Sequence, residues 1–319
     1  MIYLLKQRTK LSEFVFANIK DAETIFYPVI KKSPFTQRLI KALYYKINDN
    51  FFLDFFPSET SLKLKSIREN DTLIVVGEDI YTYWVVSNLC RRVKHKVAFF
   101  WNSESDFARQ KCTRFITKQN DKAKAIVSYI HNLGFCMASF DQRDAKLYNM
   151  FFFPQFYRFV PVEVKENYKY TFFFCGRDKG RKKIIDFYKN MLVPYGYCKF
   201  IVMSDGQAND PVPYDEYVEY IKNTEILCEA VQKNQTGLTV RAMEALFFNK
   251  KLITNSIEIM NYEIYHPNNI LVINSATTRQ EIEDFIRKPI VKIDDVIKSN
   301  YDVNTFVKIL DKYARNNPF

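Results

Sequence analysis

Glycine and histidine are scarce in this sequence, with 7 and 3 residues in a chain of 319. The 6 cysteines include no C-x-x-C pair, so neither a zinc site nor a disulfide framework is indicated. The glycine patterns G-x-x-x-x-G-K-[ST] and G-x-G-x-x-G are both absent, which disfavours a P-loop hydrolase and a dinucleotide-binding enzyme. No apolar run approaches the roughly 18 residues that span a bilayer.

Basic residues outnumber acidic ones by 47 to 36, and the net charge of +11 favours an anionic partner: phosphates, nucleic acid or an acidic membrane face. A solvated lysine-rich surface is the alternative explanation. Lys6, Arg8 and Lys10 interrupt the first apolar run, so a signal peptide is not expected. We expect a reduced, cytoplasmic chain, with any membrane contact peripheral and on the anionic inner face.

Short apolar runs alternate with helical patterns in both halves of the chain, which is typical of parallel sheets covered by helices on both faces. We predict an α/β fold with two Rossmann-like doubly wound domains facing a cleft. The domains are predicted at 1–162 and 163–319, and the last helix can pack back on the N-terminal domain. Predicted strands cover 50–56, 72–77, 96–101, 135–139, 170–176, 198–204, 225–231, 251–255 and 270–274, and predicted helices cover 80–94, 105–133, 179–193, 214–222, 238–249, 278–288 and 302–315.

The stretch TFFFCGRDKGRKKIIDFY, at 171–188, carries the clearest functional signal. Gly176 ends a strand, Arg177 and Lys179 follow in the turn, and Gly180 allows the next helix to begin close to a bound group. Two cations beside a helix N-terminus favour a diphosphate site. The alternative is a capped helix with an exposed basic face, especially at residues 181–183.

A second signal is QTGLTVRAMEALFFNKKLITN, at 235–255. At about 100° per residue, Gly237, Arg241 and Glu244 fall within an arc of roughly 60°. A carboxylate there suits the vicinal hydroxyls of a ribose, and a guanidinium suits phosphate or a sugar acid. The alternative is an i,i+3 ion pair on a solvated face.

These segments carry a resemblance. FFFCGRDKG resembles the G-R-x-x-x-K-G turn of GT-B glycosyltransferases, and GLTVRAMEALFFNKKLITN resembles their G-L-x-x-x-E-A segment, whose glutamate holds a nucleotide-sugar ribose. Together with SFDQRDAKLYNMFFFPQFY and YHPNNILVIN, they are most similar to bacterial lipopolysaccharide, O-antigen and capsule biosynthesis glycosyltransferases over about 97–275. Thr236 stands where retaining enzymes of the E-x7-E kind have a first glutamate, which leaves retention or inversion open.

The resemblance implies a donor site at the strand ends of the second domain. Its predicted members are Gly176, Arg177, Lys179, Gly180, Asp205, Thr236, Gly237, Leu238, Thr239, Arg241, Glu244 and Asn255. No Asp-x-Asp metal site occurs at a suitable place. We therefore expect Arg177, Lys179 and the helix N-termini to neutralise the charge of the leaving group, with no metal and no cofactor.

The acceptor hydroxyl needs a general base, and the first domain offers carboxylates after its predicted strands. We predict a base among Glu78, Asp79 and Asp141, with Asn102 and Asp144 contacting the acceptor. The alternative for Glu78 and Asp79 is that they are N-terminal helix residues stabilised by the helix dipole, and the alternative for Asp141 and Asp144 is that they cap a helix.

The predicted partners are a nucleotide-sugar donor and a lipid-linked or oligosaccharide acceptor, with no nucleic acid. Two other classes stay open: an inactive GT-B-like scaffold that binds a nucleotide-sugar, and a nucleic-acid-binding protein, whose affinity would fall steeply with salt. Donor, acceptor and oligomeric state are not indicated by the sequence.

Overall fold

The computed structural model describes residues 1–28, 56–77, 79–104, 121–162, 165, 167–204, 212–233 and 235–318. The predicted strand at 50–56, apart from Phe56, lies outside these ranges, as do the first part of the predicted helix at 105–133 and the site candidates Glu78 and Asp205. The chain divides into two compact units, Met1–Pro154 with Asn304–Phe319, and Gln155–Val303.

The first unit alternates strands with helices. Its elements are β1 (Ile2–Gln7), α1 (Lys10–Val15), β2 (Glu23–Tyr27), α2 (Ser58–Ser66), β3 (Thr72–Val76), α3 (Ile80–Leu89), β4 (His95–Phe100), α4 (Lys122–Asn132), β5 (Cys136–Ser139), α5 (Gln142–Leu147) and β6 (Phe151–Phe152). Its described strands form one parallel sheet in the order β2-β1-β3-β4-β5-β6. Because the order reverses between β1 and β3, this is a doubly wound sheet with its switch point there.

Gly77 ends β3 at that switch point and is required there for two reasons. Its φ of +60° lies in the left-handed region, which a residue with a Cβ enters only at a cost. A Cβ on Gly77 would also stand 2.9 Å from the Cβ of Trp101, because the backbone N–H of Gly77 donates to the Phe99 carbonyl at 2.7 Å. The first glycine of the chain is therefore fixed by both conformation and packing.

The second unit repeats the same plan. Its elements are β7 (Tyr170–Arg177), α6 (Lys182–Leu192), β8 (Cys198–Met203), α7 (Tyr214–Lys222), β9 (Thr224–Glu229), α8 (Val240–Phe247), β10 (Lys251–Thr254), β11 (Ile270–Val272), α9 (Arg279–Arg287) and α10 (Asp295–Asn300), and α11 (Val303–Asn316) follows into the first unit. The described strands form a parallel sheet in the order β11-β10-β9-β7-β8, whose switch point lies between β7 and β9.

The interior strand β7 shows why this sheet is covered on both faces. Phe172 and Phe174 belong to a buried core cluster with Ile185 and Tyr188 of α6. Phe173, on the opposite face, packs its ring against the Tyr217 ring of α7 at 5.5 Å. Successive side chains of a strand point to opposite faces, so a run of phenylalanines fills both layers.

The prediction of an α/β fold with two Rossmann-like doubly wound domains is confirmed. The strands β1, β2 and β6 and the short helices α1, α2, α5 and α10 were missed. Most of these segments are short and mix charged with apolar residues, as Ile2–Gln7 and Glu23–Tyr27 do. Their apolar residues therefore indicate neither the helical repeat nor the alternation of a strand clearly. Among the helices of the described ranges, none has both the length and the apolar character needed to cross a bilayer.

We predict that Gly77→Ala lowers the free energy of unfolding by about 2–4 kcal/mol, because backbone strain and overpacking add. Gly180→Ala is the control: Gly180 also has a positive φ, +76°, but a Cβ there meets nothing within 4 Å. That substitution should cost only about 1 kcal/mol. Urea unfolding of both variants measures the difference, and equal losses would refute the packing role of Gly77.

Candidate functional site

The switch point of the second sheet places two connections at one edge. After β7 the chain turns through Asp178 and Lys179 into α6, and after β9 it passes through Ala230 and Gly237 into α8. Since β7 and β9 are hydrogen-bonded neighbours in parallel, both connections leave from their carboxyl ends. Ligands of open α/β sheets bind in the crevice at this position.

The turn after β7 is anchored by backbone hydrogen bonds. The Asp178 N–H donates to the Met203 carbonyl and the Arg181 N–H donates to the Asp178 carbonyl, both at 2.8 Å. Lys179 and Gly180 follow each other at φ values of 46° and 76°, which reverses the chain sharply. The N-cap residue of α6, Arg181, makes no side-chain capping bond, so the amide groups of the first turn are not served by a cap.

Arg181 spans the switch point. Its guanidinium donates to the carbonyls of Arg177 and Ala230, one at the end of each neighbouring strand, and its Nε donates to the Asp178 carbonyl at 3.1 Å. It therefore holds the two strand ends together. The expectation of an exposed basic face at 181–183 is wrong for Arg181, which is half-buried, and right for Lys182 and Lys183, which are exposed.

The predicted residues of the first turn lie beside this arginine. Gly176, Arg177 and Lys179 are half-buried and Gly180 is exposed. The turn thus carries two further basic side chains next to a helix N-terminus that has no side-chain cap. Such an arrangement can accommodate an anion.

The second connection is ordered by Thr239, the N-cap residue of α8. Its hydroxyl oxygen accepts from the N–H groups of Arg241 at 3.0 Å and Ala242 at 3.4 Å, and the hydroxyl donates to Glu229. Gly237 and Leu238 are buried and Thr236 is half-buried. The residues predicted from the GLT segment therefore stand at the end of β9, on the same sheet edge as the turn after β7.

Glu229 was missed at the sequence level. It ends β9, is 4% exposed, and accepts hydrogen bonds from Thr239 and, at 2.5 Å, from Thr254 of β10. Burial raises its pKa, and the two threonine hydrogen bonds oppose that shift. A carboxylate inside the apolar run EILCEAV was the signal that could have identified it, because a buried charge in a strand needs dedicated partners.

Asn255, a predicted donor-site residue, supports the connection after β9. Its side-chain oxygen accepts from the Val231 N–H at 2.7 Å, and its side-chain nitrogen donates to the Val231 carbonyl at 3.3 Å. Asn255 follows β10, so this pair of bonds fixes the segment after β9 against the next strand of the sheet.

Arg241 and Glu244 come together as the predicted arc requires, but they face the interior. Glu244 is 2% exposed and accepts from the hydroxyls of Tyr214 and Tyr217, each at 2.6 Å, and from Arg241 at 3.1 Å. Since Tyr214 donates its proton to Glu244, the 2.5 Å contact between Tyr157 and Tyr214 has Tyr157 as donor. The alternative of a solvated ion pair is wrong, because this pair is buried.

Arg241 links this network to β7. Its guanidinium donates to the Cys175 carbonyl at 2.6 Å and lies 4.8 Å from the centre of the Tyr217 ring. Burial raises the pKa of Glu244 to about 7, against the opposing effects of Arg241 and of the Tyr214 hydrogen bond. The roles of Glu244 towards ribose and of Arg241 towards phosphate stay predictions.

In the first unit the candidate bases act as helix caps. Asp79 is exposed and caps α3, accepting from the N–H groups of Tyr81 at 2.8 Å and Thr82 at 3.0 Å. Asp141 is 1% exposed and caps α5, accepting from the Arg143 N–H at 3.0 Å. The capping interpretation is confirmed for Asp141, and Asp79 lies at the helix N-terminus as its alternative interpretation expected, as the cap itself. The catalytic role of both stays a prediction.

Asp144 joins the segments after β4 and β5. It is 1% exposed and accepts from the Glu104 N–H at 2.6 Å, in the loop that also carries the exposed Asn102. Burial, and then the neighbouring charge of Asp141, raise the pKa of Asp144 to about 7. Among the described residues no cluster of three or more histidine, cysteine or acidic side chains could hold a metal ion.

The raised pKa of Glu244 generates a pH prediction. A carboxyl that binds its proton more tightly in the folded state contributes stability below its unfolded pKa of about 4.3, and this contribution is lost as pH rises towards about 7. Wild-type protein should therefore lose stability relative to Glu244→Gln as the pH rises from about 4.3 to about 7, at up to about 1.4 kcal/mol per pH unit. Urea unfolding at each pH measures the difference.

The matched control for this pH series is Glu283→Gln, which removes an exposed carboxylate from an i,i+4 ion pair with Arg287. Its stability relative to wild type should be nearly independent of pH over the same window. A constant gap between wild type and Glu244→Gln would show that Glu244 stays ionised when buried.

Comparisons with known proteins bear on the fold. No protein-family model and no curated protein matches the chain. Among solved structures, the chain is similar to Anabaena Alr3699/HepE in complex with UDP-glucose, with 9% identity, a TM-score of 0.51, and coverage of 99% of this chain and 99% of that chain. It is also aligned with Methanocaldococcus jannaschii UDP-GlcNAc 2-epimerase in complex with UDP-GlcNAc and UDP, at 12% identity and a TM-score of 0.43, covering 98% of this chain and 100% of that chain.

Of these two structures, the Anabaena one has the higher TM-score, and at this identity the likeness concerns the fold alone. It extends over nearly the whole chain, so both units take part in it. It agrees with the predicted GT-B fold of two Rossmann-like domains.

Proposed function

We propose that this chain is a glycosyltransferase that moves a sugar from a nucleotide-sugar to a hydroxyl of a bacterial surface glycan: lipopolysaccharide, O-antigen or capsule. The observation that carries the proposal is the edge of the second sheet, where the basic turn Arg177–Gly180 and the Thr239-capped start of α8 flank one switch point. The diphosphate of the donor binds there.

Charge complementarity supports the diphosphate. Arg177 and Lys179 contribute charge-assisted hydrogen bonds of roughly 1.5–3 kcal/mol each. The start of α6, which has no side-chain cap, adds roughly 0.3–2 kcal/mol through its dipole. The N–H groups at N2 and N3 of α8 are already served by Thr239, so α6 is the better anion site of the two helices.

In the transfer, the bond from the anomeric carbon to the phosphate oxygen breaks, and a bond from that carbon to the acceptor oxygen forms. The nucleoside diphosphate departs with the bonding electron pair, and the acceptor proton passes to a base. In the proposal Arg177 and Lys179 balance the charge on the leaving group, with no metal required. Removing a positioned charge of this kind costs about 10²–10³ in rate.

The acceptor site and the base belong to the proposal as well. Asn102 and Asp144 are proposed to contact a lipid-linked or oligosaccharide acceptor, and Asp79 is the proposed base, since it is exposed and Asp141 is almost wholly buried. The net charge of +11 supports a peripheral contact with an anionic inner membrane face. The likeness to a chain solved with UDP-glucose supports a nucleotide-sugar donor.

The first test is a thermal-shift screen of the full chain against UDP-, GDP-, CMP- and TDP-sugars and the corresponding free nucleotides. A ligand at 100 times its Kd should stabilise the native state by about 2.7 kcal/mol, so one class should raise the melting temperature by several degrees. If no nucleotide-sugar and no nucleoside diphosphate raises it, the donor site is refuted. Binding without any transfer or hydrolysis would instead favour the inactive scaffold.

The second test concerns the diphosphate. Arg177→Ala should weaken binding of the selected nucleotide-sugar and of its nucleoside diphosphate about 10- to 100-fold, as measured by titration calorimetry. Lys183→Ala is the matched control, because Lys183 is exposed on α6 and its substitution also removes one positive charge. Equal affinities for wild type and Arg177→Ala would contradict the assignment, and equal losses in both variants would reduce it to a nonspecific charge effect.

A further inference from the structure

Asp178 stands between the two cations of the proposed diphosphate site, and the proposed function gives it no role. Its backbone is fixed, because its N–H donates to Met203 and its carbonyl accepts from Arg181. Its carboxylate is different. The Oδ1 atom is covered by protein and has no hydrogen-bond partner in the part of the chain that the structure describes.

An unsatisfied carboxylate oxygen is costly. Leaving a buried acceptor without a donor costs roughly 1–3 kcal/mol, and more for a charged group. Among the buried side-chain oxygens and nitrogens of the described residues that lack a hydrogen bond, Oδ1 of Asp178 is a carboxylate oxygen and the others are tyrosine hydroxyls. The fold does not need this carboxylate, because backbone hydrogen bonds and the side chain of Arg181 already hold the turn. Polar groups of this kind are concentrated at functional positions, where a ligand, a water molecule or an ion supplies the missing partner.

The position of Asp178 restricts what that ligand can be. A diphosphate bound by Arg177 and Lys179 brings negative charge close to the residue between them in the chain. Two anions approach only if a hydrogen-bond donor or a cation lies between them. A bare diphosphate carries more negative charge than an esterified one and few protons at neutral pH, whereas a nucleotide-sugar carries several ribose and sugar hydroxyls close to its diphosphate.

We propose that Asp178 accepts a hydrogen bond from a hydroxyl of the nucleotide-sugar, and that it thereby selects a glycosylated nucleotide over a bare diphosphate. The inference rests on the proposed function and assigns the central residue of the GRDKG turn. Asp178 is only half-buried, and the space beside the turn is open, because a Cβ at Gly180 would meet nothing within 4 Å.

The experiment compares three probes: UDP-glucose, UDP and inorganic pyrophosphate, or GDP-mannose and GDP in place of the uridine pair if the screen selects guanosine. Titration calorimetry is performed on the wild-type chain, on Asp178→Ala and on Asp186→Ala, with pyrophosphate measured by competition. Asp186 is exposed on α6, and Asp186→Ala also removes one negative charge. This variant therefore measures the general effect of making the protein more basic.

Asp178→Ala should weaken UDP-glucose binding about tenfold or more, because it removes a charged acceptor. Pyrophosphate should bind equally well or more tightly, because a nearby negative charge has gone. If the ribose supplies the hydroxyl, UDP loses affinity together with UDP-glucose, and if the sugar supplies it, UDP behaves like pyrophosphate. Asp186→Ala should leave the ranking of the probes unchanged.

A stability measurement separates this role from a structural one. Without ligand, Asp178→Ala should melt at the same temperature as wild type or higher, since an unsatisfied carboxylate is removed. A lower melting temperature with unchanged probe affinities would show that Asp178 only supports the turn. The inference is likewise overturned if Asp178→Ala weakens pyrophosphate as much as UDP-glucose, or weakens binding only when Mg²⁺ is present, which would indicate a metal bridge.

The two proposals fail in different ways. If wild-type protein binds none of the probes, the diphosphate site itself is refuted. If Arg177→Ala loses affinity for UDP-glucose and Asp178→Ala does not, the diphosphate site stands and the role of Asp178 is wrong.

Discussion

The proposed site depends on the hydrogen bonds that the guanidinium of Arg181 donates to three backbone carbonyls. At a switch point, neighbouring strands feed helices on opposite faces of the sheet, so the carbonyls at the strand ends lose their ladder partners. Arg181 donates to one such carbonyl on each side, those of Arg177 and Ala230, and to Asp178 in the turn between. A planar group with several fixed donors is suited to this, and a lysine would not replace it.

Below this edge, buried carboxylates give the second constraint. Glu229 ties β9 to β10 and to the cap of α8 through two threonines, while Glu244 gathers two tyrosines and Arg241. Each is almost fully buried and its hydrogen bonds are satisfied within the unit, which is the condition under which a buried charge is tolerated. These networks fix the loops from beneath, so the groups at the surface can be positioned for a ligand.

The polar groups of the second unit are held mainly by one another. Hydrogen bonds to protein groups fix Arg181, Arg241, Glu229, Glu244 and Asn255. The turn residues Arg177, Asp178 and Lys179 are half-buried, and Oδ1 of Asp178 has no hydrogen-bond partner among the described residues. A ligand that is both anionic and hydroxylated matches this combination better than either chemistry alone, which is why a nucleotide-sugar is the proposed substrate.

Most strands and helices from β3 onwards followed from the sequence, because continuous apolar runs such as TLIVV and TFFFC are characteristic of strands buried on both faces. The glycine-bearing strand ends likewise indicated the region of the proposed site, since glycine is rare in this chain and favours a strand-to-helix turn. What the sequence could not indicate was which polar groups face one another. Helical periodicity placed Arg241 and Glu244 on one arc, but only the neighbouring helix α7, which brings Tyr214 and Tyr217, made that arc an interior face. The hydrogen bond from Arg181 to Ala230, 49 residues away, was also decided by tertiary structure, because only sheet pairing brings these two residues together.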